Sequence, residues 1–326
     1  MFFNTKKALP PDDAMPENLR SSDPSIAVGA ERPRTGAIIA LVAAILLWGA
    51  NWPVMKVGLG HITPLWFSGL RFATGAACLF AFQAARGDLR APTRRDWPFV
   101  LSIGVFQMMI FTALGAIAMT QLPAGRSAIL SYTTTLWVVP ASILLFGERV
   151  APRRLAGIGL GVLGVAILVN PAAVDWTNGE VLEANFMLLA ASFCWAICIL
   201  HLRYFRSSSS PFQLAPWQML FAAVWLVIIA AFVEGPFTGD GTPIFWGSLI
   251  FVGPLATAFC FCAVNAASVW LPASAMSTVM LGVPVTGVAL SLVTLGEPLT
   301  FALALGSLAI VAGIAVSAIP NRSSTP

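Results

Sequence analysis

From about residue 36 to residue 319 this chain is a succession of apolar blocks separated by short polar breaks, and blocks of that length have few places to fold. Ten segments of about 18–24 residues can be drawn, the length needed to cross about 30 Å of hydrocarbon at 1.5 Å per helical residue. They cover roughly 36–57, 63–84, 97–118, 123–146, 153–171, 183–204, 212–233, 244–267, 272–295 and 298–319. With 58% hydrophobic and 10% charged residues, the 326-residue chain has the composition of a membrane protein. Strands of a membrane barrel would alternate apolar and polar residues in runs of about ten, and these blocks do not. The expected class is an all-α integral membrane protein with ten transmembrane helices.

Residues 1–35 differ, with Pro10, Pro11, Pro16, Pro24 and Pro33 among charged and small polar residues, and are expected to be a disordered cytoplasmic tail. The pattern of a secretory signal is missing, so the first span is expected to stay in the mature protein. Residues 320–326 read as a short cytoplasmic stub. Cys78, Cys194, Cys198, Cys260 and Cys262 all fall in expected spans, where disulfides are not expected and small packing residues are the default reading. Cys194, Cys198 and His201 share a helix face, but they are spread too far for one metal ion. Neither a metal nor a cofactor is expected.

Part of the chain is written twice. Leu122-Pro123-Ala124 is followed by Gly147-Glu148, Gly157 and Gly164; Leu271-Pro272-Ala273 is followed by Gly296-Glu297, Gly306 and Gly313, at a constant offset of 149 residues. Five helices per copy, an odd number, would place the second copy upside down in the membrane. The expected organisation is a first five-helix repeat over 36–172 and a second, inverted one over 182–319. Identical glycines would let helices 5 and 10 pack closely in each half. Lys and Arg in the loops agree with this plan: the tail, Arg86, Arg90, Arg94, Arg95, Arg149, Arg153, Arg154, Arg203, Arg206 and Arg322 all fall on one face. Basic residues stay cytoplasmic, so both termini are expected there.

These marks resemble the drug/metabolite transporter superfamily, in its EamA family. The resemblance rests on Trp48-Gly49-Ala50-Asn51-Trp52 with Lys56, on Leu70-Arg71-Phe72, and on Phe146-Gly147-Glu148-Arg149 in the first copy. In the second copy it rests on Ala275 through Pro284 and on Leu295-Gly296-Glu297-Pro298-Leu299. The copies differ, with Gln218 at the expected counterpart of Arg71 and Thr135 where the second copy has Pro284. Substrate contacts are therefore expected to be asymmetric. The resemblance implies export or exchange of small metabolites, with amino-acid exporters a prominent bacterial branch.

A charge at membrane depth costs about 2.5–3.5 kcal/mol on insertion scales, which makes it a site candidate. Lys56, Arg71 and Arg126 are such charges, and Arg71 is the deepest. Lys56 and Arg126 sit near helix ends, where snorkelling serves as well. Neutralisation of Arg71 is left to helix-end carbonyls, water, Glu297 or an anionic substrate. The expected substrate-binding residues are Trp48, Asn51, Trp52, Arg71, Gln107, Tyr132, Trp137, Trp195, Trp217 and Asn265, a mixture of aromatic walls and fixed polar groups suited to an amphipathic solute. Pro53, Pro140, Pro254 and Pro284 are the expected hinges or kinks, since each removes a helical hydrogen bond.

The leading expectation is an inner-membrane exporter of amino acids or related metabolites in the lipid bilayer, working by alternating access. Without an intramembrane acid in the expected spans, facilitated movement or exchange is simpler than proton coupling. No ATP-binding loop is present, and neither enzymatic activity nor nucleic-acid binding is expected. Broad efflux of amphipathic drugs, or sugar or nucleotide-sugar exchange, stands as the alternative. Two-fold symmetry inside the chain would permit a functional monomer.

Overall fold

A computed structural model describes residues 24–148, 151–169, 179–268, 276 and 280–318. Among the described residues there are ten helices and no strands. In chain order they are α1 (Pro24–Gly58), α2 (Pro64–Ala85), α3 (Trp97–Gln121), α4 (Ala124–Phe146), α5 (Pro152–Val169), α6 (Gly179–Tyr204), α7 (Pro211–Val233), α8 (Pro243–Ser268), α9 (Gly282–Leu295) and α10 (Phe301–Ala318). Seven of them, α1 to α4 and α6 to α8, are long and apolar enough to cross a membrane. The protein is a multi-pass membrane protein. Much of the reading for 272–281 and all of Arg149, Leu271-Pro272-Ala273 and Arg322 lie outside the described residues.

Local sequence sets the helix starts. Thr63-Pro64, Ser210-Pro211 and Thr242-Pro243 each pair an N-cap residue with a proline whose fixed φ suits the first helical position. Ser210 and Gln213 complete a capping box, and Thr242 Oγ1 accepts from Phe245 N at 3.2 Å. Thr63 has no such bond of its own. Glu234, at the end of α7, accepts instead from Leu65 N at 2.8 Å and Trp66 N at 3.1 Å. The repeated Gly-Glu marks have a local meaning too. Gly147 (φ 64°) and Gly296 (φ 65°) end α4 and α9 in the left-handed conformation that favours glycine.

The helices pack in a regular pattern. α1 lies on α8 and α9, and five helices further along α6 lies on α3 and α4; α2 on α8 is matched by α7 on α3. The pairs α2 with α7 and α5 with α10 are their own counterparts. The α5–α10 contact corrects the expectation that the glycines tighten each half separately. Gly157 faces Gly313 and Gly164 faces Gly306, so the small residues join one half to the other. A Cβ on Gly157 would sit 2.6 Å from the Gly313 carbonyl oxygen, and one on Gly164 would sit 2.8 Å from that of Gly306. Only hydrogen side chains permit that approach.

Three further features depart from the sequence reading. α1 begins at Pro24, inside the expected tail, because backbone hydrogen bonding does not stop where the apolar stretch does. α4 is interrupted at Tyr132–Thr133 rather than at Pro140, which lies within its continuous second part. Finally, α3 and α8 each contain a wide π-helical stretch, Ile103–Ile110 and Phe251–Phe259, at matching places in the two copies.

Candidate functional site

The interruption of α4 and the two π-helical stretches surround one cavity of about 170 Å³. Trp48, Asn51, Trp52 and Met55 reach it from α1, Arg71 and Phe72 from α2, and Tyr132 from the break in α4. Gln107, Met108, Phe111, Thr112, Gly115 and Met119 come from α3, Trp195 from α6, Met219 from α7, and Ala256, Thr257 and Phe261 from α8. Seven aromatic rings and four thioethers therefore form the wall, and Arg71 is the one charged side chain among the lining residues. Phe111 and Tyr132 both meet Trp195 edge to face, at 5.1 and 5.5 Å between centroids, which fixes three of these rings against one another.

The π geometry explains how the polar groups are held. Thr257 Oγ1 donates to the carbonyl of Val252, five residues back, at 2.7 Å and accepts from Arg71 Nε at 2.8 Å. The Ala256 carbonyl in the same stretch accepts from Trp48 Nε1 at 2.6 Å, tying α1 to α8. Arg71 Nη1 and Asn51 Nδ2 both donate to Met55 Sδ, at 3.2 and 3.4 Å. The guanidinium also lies 5.7 Å from the centroid of Phe72. Asn51 is 7% exposed, and its Oδ1 is buried without a hydrogen-bond partner among the described residues. No carboxylate among the described residues pairs with Arg71.

Of the ten residues expected from sequence, Trp48, Asn51, Trp52, Arg71, Gln107, Tyr132 and Trp195 line this cavity. Trp137, Trp217 and Asn265 do not. Trp137 Nε1 donates to Ser192 Oγ at 2.8 Å, with the ring 37% exposed. Trp217 Nε1 donates to the Arg90 carbonyl at 3.0 Å near a helix end, its ring set edge to face on Phe80. Asn265 Nδ2 bonds one turn back to the Phe261 carbonyl of its own helix at 2.8 Å. Thr257 and the methionines were not singled out in the sequence. Thr257 had one visible signal, its place just after Pro254, which lies in the π-helical stretch.

The other intramembrane charges have separate positions. Lys56 Nζ donates to the carbonyls of Met119 and, at 3.0 Å, Leu122, closing the end of α3 rather than snorkelling. Glu297 does not reach Arg71. Its two oxygens accept from Ala124 N at 2.5 Å and Gly125 N at 2.9 Å at the start of α4. Nε and Nη2 of Arg126 are buried without a partner among the described residues. Pro53 lies within α1 beside a second, apolar cavity of about 400 Å³ between α1, α8 and α9, and Pro284 lies in the first turn of α9. That second cavity is larger but has no charged lining residue.

A bundle of apolar helices enclosing a polar, aromatic cavity is the architecture of a membrane carrier. The EamA-like transporter family model matches residues 35–170 and 182–319, and the chain belongs to that family of membrane transporters. It is 29% identical over 301 residues to a "Probable amino-acid metabolite efflux pump" of Salmonella typhimurium, covering 89% of this chain and 96% of the relative. An Escherichia coli protein of the same name is 28% identical over 307 residues, with 89% and 96% covered. The Bacillus subtilis "Uncharacterized transporter YvbV" is 26% identical over 283 residues, with 86% and 91% covered. A solved crystal structure at 23% identity superimposes with a TM-score of 0.60 over 87% of this chain and 96% of its own, which shows the fold alone.

Proposed function

We infer that the protein is a bacterial inner-membrane exporter of amino acids, aromatic and bulky ones included, or of related small metabolites. It works by alternating access, as facilitated movement rather than ATP-driven transport. In this reading two inverted five-helix repeats, 36–172 and 182–319, rock against each other with both termini in the cytoplasm. The matched π-helical stretches, the packing that repeats five helices along and the reciprocal Gly157–Gly313 and Gly164–Gly306 contacts support the repeat. The observation that carries the substrate reading is Arg71, a cation inside the bundle with no carboxylate partner among the described residues, facing a cavity walled by rings and thioethers. The names of the enterobacterial relatives point the same way.

Flux into proteoliposomes of labelled amino acids, with and without an imposed pH gradient, tests the reading. Saturable movement that ignores the gradient is expected, and Arg71→Ala should abolish it while the protein stays monodisperse. Failure of every amino acid and amino-acid metabolite to move would overturn it. The four methionines favour a second reading, broad amphipathic drug efflux, because thioether walls repack around unlike ligands. Strong competition by structurally unlike drugs would support that alternative.

A further inference from the structure

We propose that the cavity recognises its cargo by the carboxylate and has no requirement for an ammonium, so that its substrate class is amphipathic monocarboxylates, with amino acids as one subset. The proposal rests on the exporter reading and narrows it.

Charge balance is the starting point. Among the described residues Arg71 is the one charged side chain that lines the cavity, and neither Asp nor Glu does. A bound monoanion neutralises the site, whereas a zwitterion leaves it with one positive charge. An amphipathic cation would bring two positive charges together. At a separation of about 6 Å and an effective dielectric of about 20, that repulsion weakens binding on the order of 100-fold.

Geometry places the carboxylate. Thr257 holds Arg71 Nε, and Nη1 is directed at Met55 Sδ, while Nη2 has no hydrogen-bond partner among the described residues. Asn51 Nδ2 is directed at the same sulfur. A thioether is a weak acceptor. Two N–H donors from different helices therefore converge on a point now filled by a flexible, weakly accepting atom. A carboxylate oxygen is the ligand atom that improves on it, with the second oxygen free to take Nη2 in the paired geometry that guanidinium favours. Met55 can swing aside, since its unbranched side chain has several accessible rotamers.

The other polar side chains on the wall, Asn51, Gln107, Thr112, Tyr132 and Thr257, are neutral. Asn51 Oδ1 is buried with no hydrogen-bond partner among the described residues, so it gains from any N–H or O–H on the carbon next to the carboxylate. An amide oxygen serves a hydroxyl or an acylated nitrogen as it serves an ammonium. The rings and thioethers then take the apolar tail.

The experiment is competition and counterflow in proteoliposomes holding the full chain, at about pH 6, with four molecules sharing one aromatic tail. Phenylalanine is the zwitterion, 3-phenyllactate and N-acetylphenylalanine are monoanions, and phenylalaninamide is the cation. The two monoanions should compete within about threefold of phenylalanine, and 3-phenyllactate should itself show saturable counterflow. Phenylalaninamide should be weaker by at least about 30-fold. Arg71→Lys, which keeps the charge, should keep the order of the series, and the wild-type series stands without that variant. An amide that competes as well as the acids, or monoanions that fail while phenylalanine moves, would overturn the proposal and leave the exporter reading intact. No movement of any of the four would overturn the proposal, and the exporter reading falls with it only if the wider panel of amino acids and their metabolites also fails to move.

Discussion

Arg71 on α2 and Thr257 on α8 meet across 2.8 Å, and the hydroxyl that receives the guanidinium is itself anchored to the Val252 carbonyl. The anchor exists because the backbone from Phe251 to Phe259 is π-helical and places the carbonyl five residues back within reach. A backbone irregularity in one half of the chain thus aims the cation supplied by the other.

Thr257→Val keeps the volume but removes the hydroxyl. A hydrogen bond to a charged group contributes roughly 1.5–3 kcal/mol when its loss leaves the charge unpartnered. The expected result is a rise in KM for the transported acid of at least about tenfold, with the maximal rate less affected, because the guanidinium is present but no longer held. Thr257→Ser should restore most of the affinity. An unchanged KM in Thr257→Val would show that Arg71 is oriented by other contacts, such as Phe72.

At the α5–α10 crossing, the prediction concerns stability rather than substrate. Cβ atoms at Gly157 or Gly313 would lie 2.6 or 2.5 Å from the opposing backbone carbonyl oxygen, a contact that no rotamer relieves. Gly157→Ala and Gly313→Ala should each cost about 1–3 kcal/mol, the usual penalty of overpacking, and lower the unfolding midpoint in detergent. Gly159 on the same helix has nothing within 4 Å of its added Cβ, so Gly159→Ala should be neutral or slightly stabilising. Equal effects at Gly157 and Gly159 would mean that the crossing is looser than these distances.

The contrast between these two sites indicates what was legible in the sequence. The all-helical, multi-pass character and the glycine marks were readable because length and hydropathy are properties of the chain alone. Which way a polar residue faces was not, since helices that are apolar all round have no polar face to orient them. Asn51 and Asn265 look alike in sequence, yet one reaches the cavity and the other folds back onto Phe261. Trp48 and Trp217 divide the same way, the second being taken up by the Arg90 carbonyl. The π-helical stretches left no local pattern to read, and with them Thr257 went unnoticed.

Glu297 gives a prediction about the joint between the halves. Its carboxylate takes the N–H groups of Ala124 and Gly125, while Lys56 takes the carbonyls of Met119 and Leu122 on the other side of the same turn. Glu297→Ala should lower stability by about 1–2 kcal/mol, as for the loss of a helix cap, and Glu297→Gln by less. Because both side chains fix one short turn, Lys56→Ala and Glu297→Ala should be non-additive, which a double-mutant cycle of unfolding midpoints would detect. Strict additivity would mean that the two ends of the turn are held independently.

The last prediction concerns acid stability and Asp96. Its carboxylate joins two loops outside the membrane, accepting from Thr93 N at 3.0 Å, Thr93 Oγ1 at 2.8 Å, Ser208 N at 2.7 Å, Ser209 N at 3.0 Å and Ser209 Oγ at 2.8 Å. Desolvation works against ionisation here, but the hydrogen bonds from Thr93 and Ser209 outweigh it and hold the carboxyl well below the usual carboxylate range. A carboxylate depressed on folding contributes stability that is complete above its unfolded pKa of about 3.9 and is lost as pH falls toward the folded value. Stability from Asp96 is therefore fully present at neutral pH and begins to fall below about pH 5. Asp96→Asn should unfold at a lower temperature than wild type at pH 7, and the gap should narrow as pH drops to about 3, because the carboxylate of the unfolded chain takes up a proton there before the folded one does. A gap that stays constant across that range would assign the role of Asp96 to shape and hydrogen-bond count instead of charge.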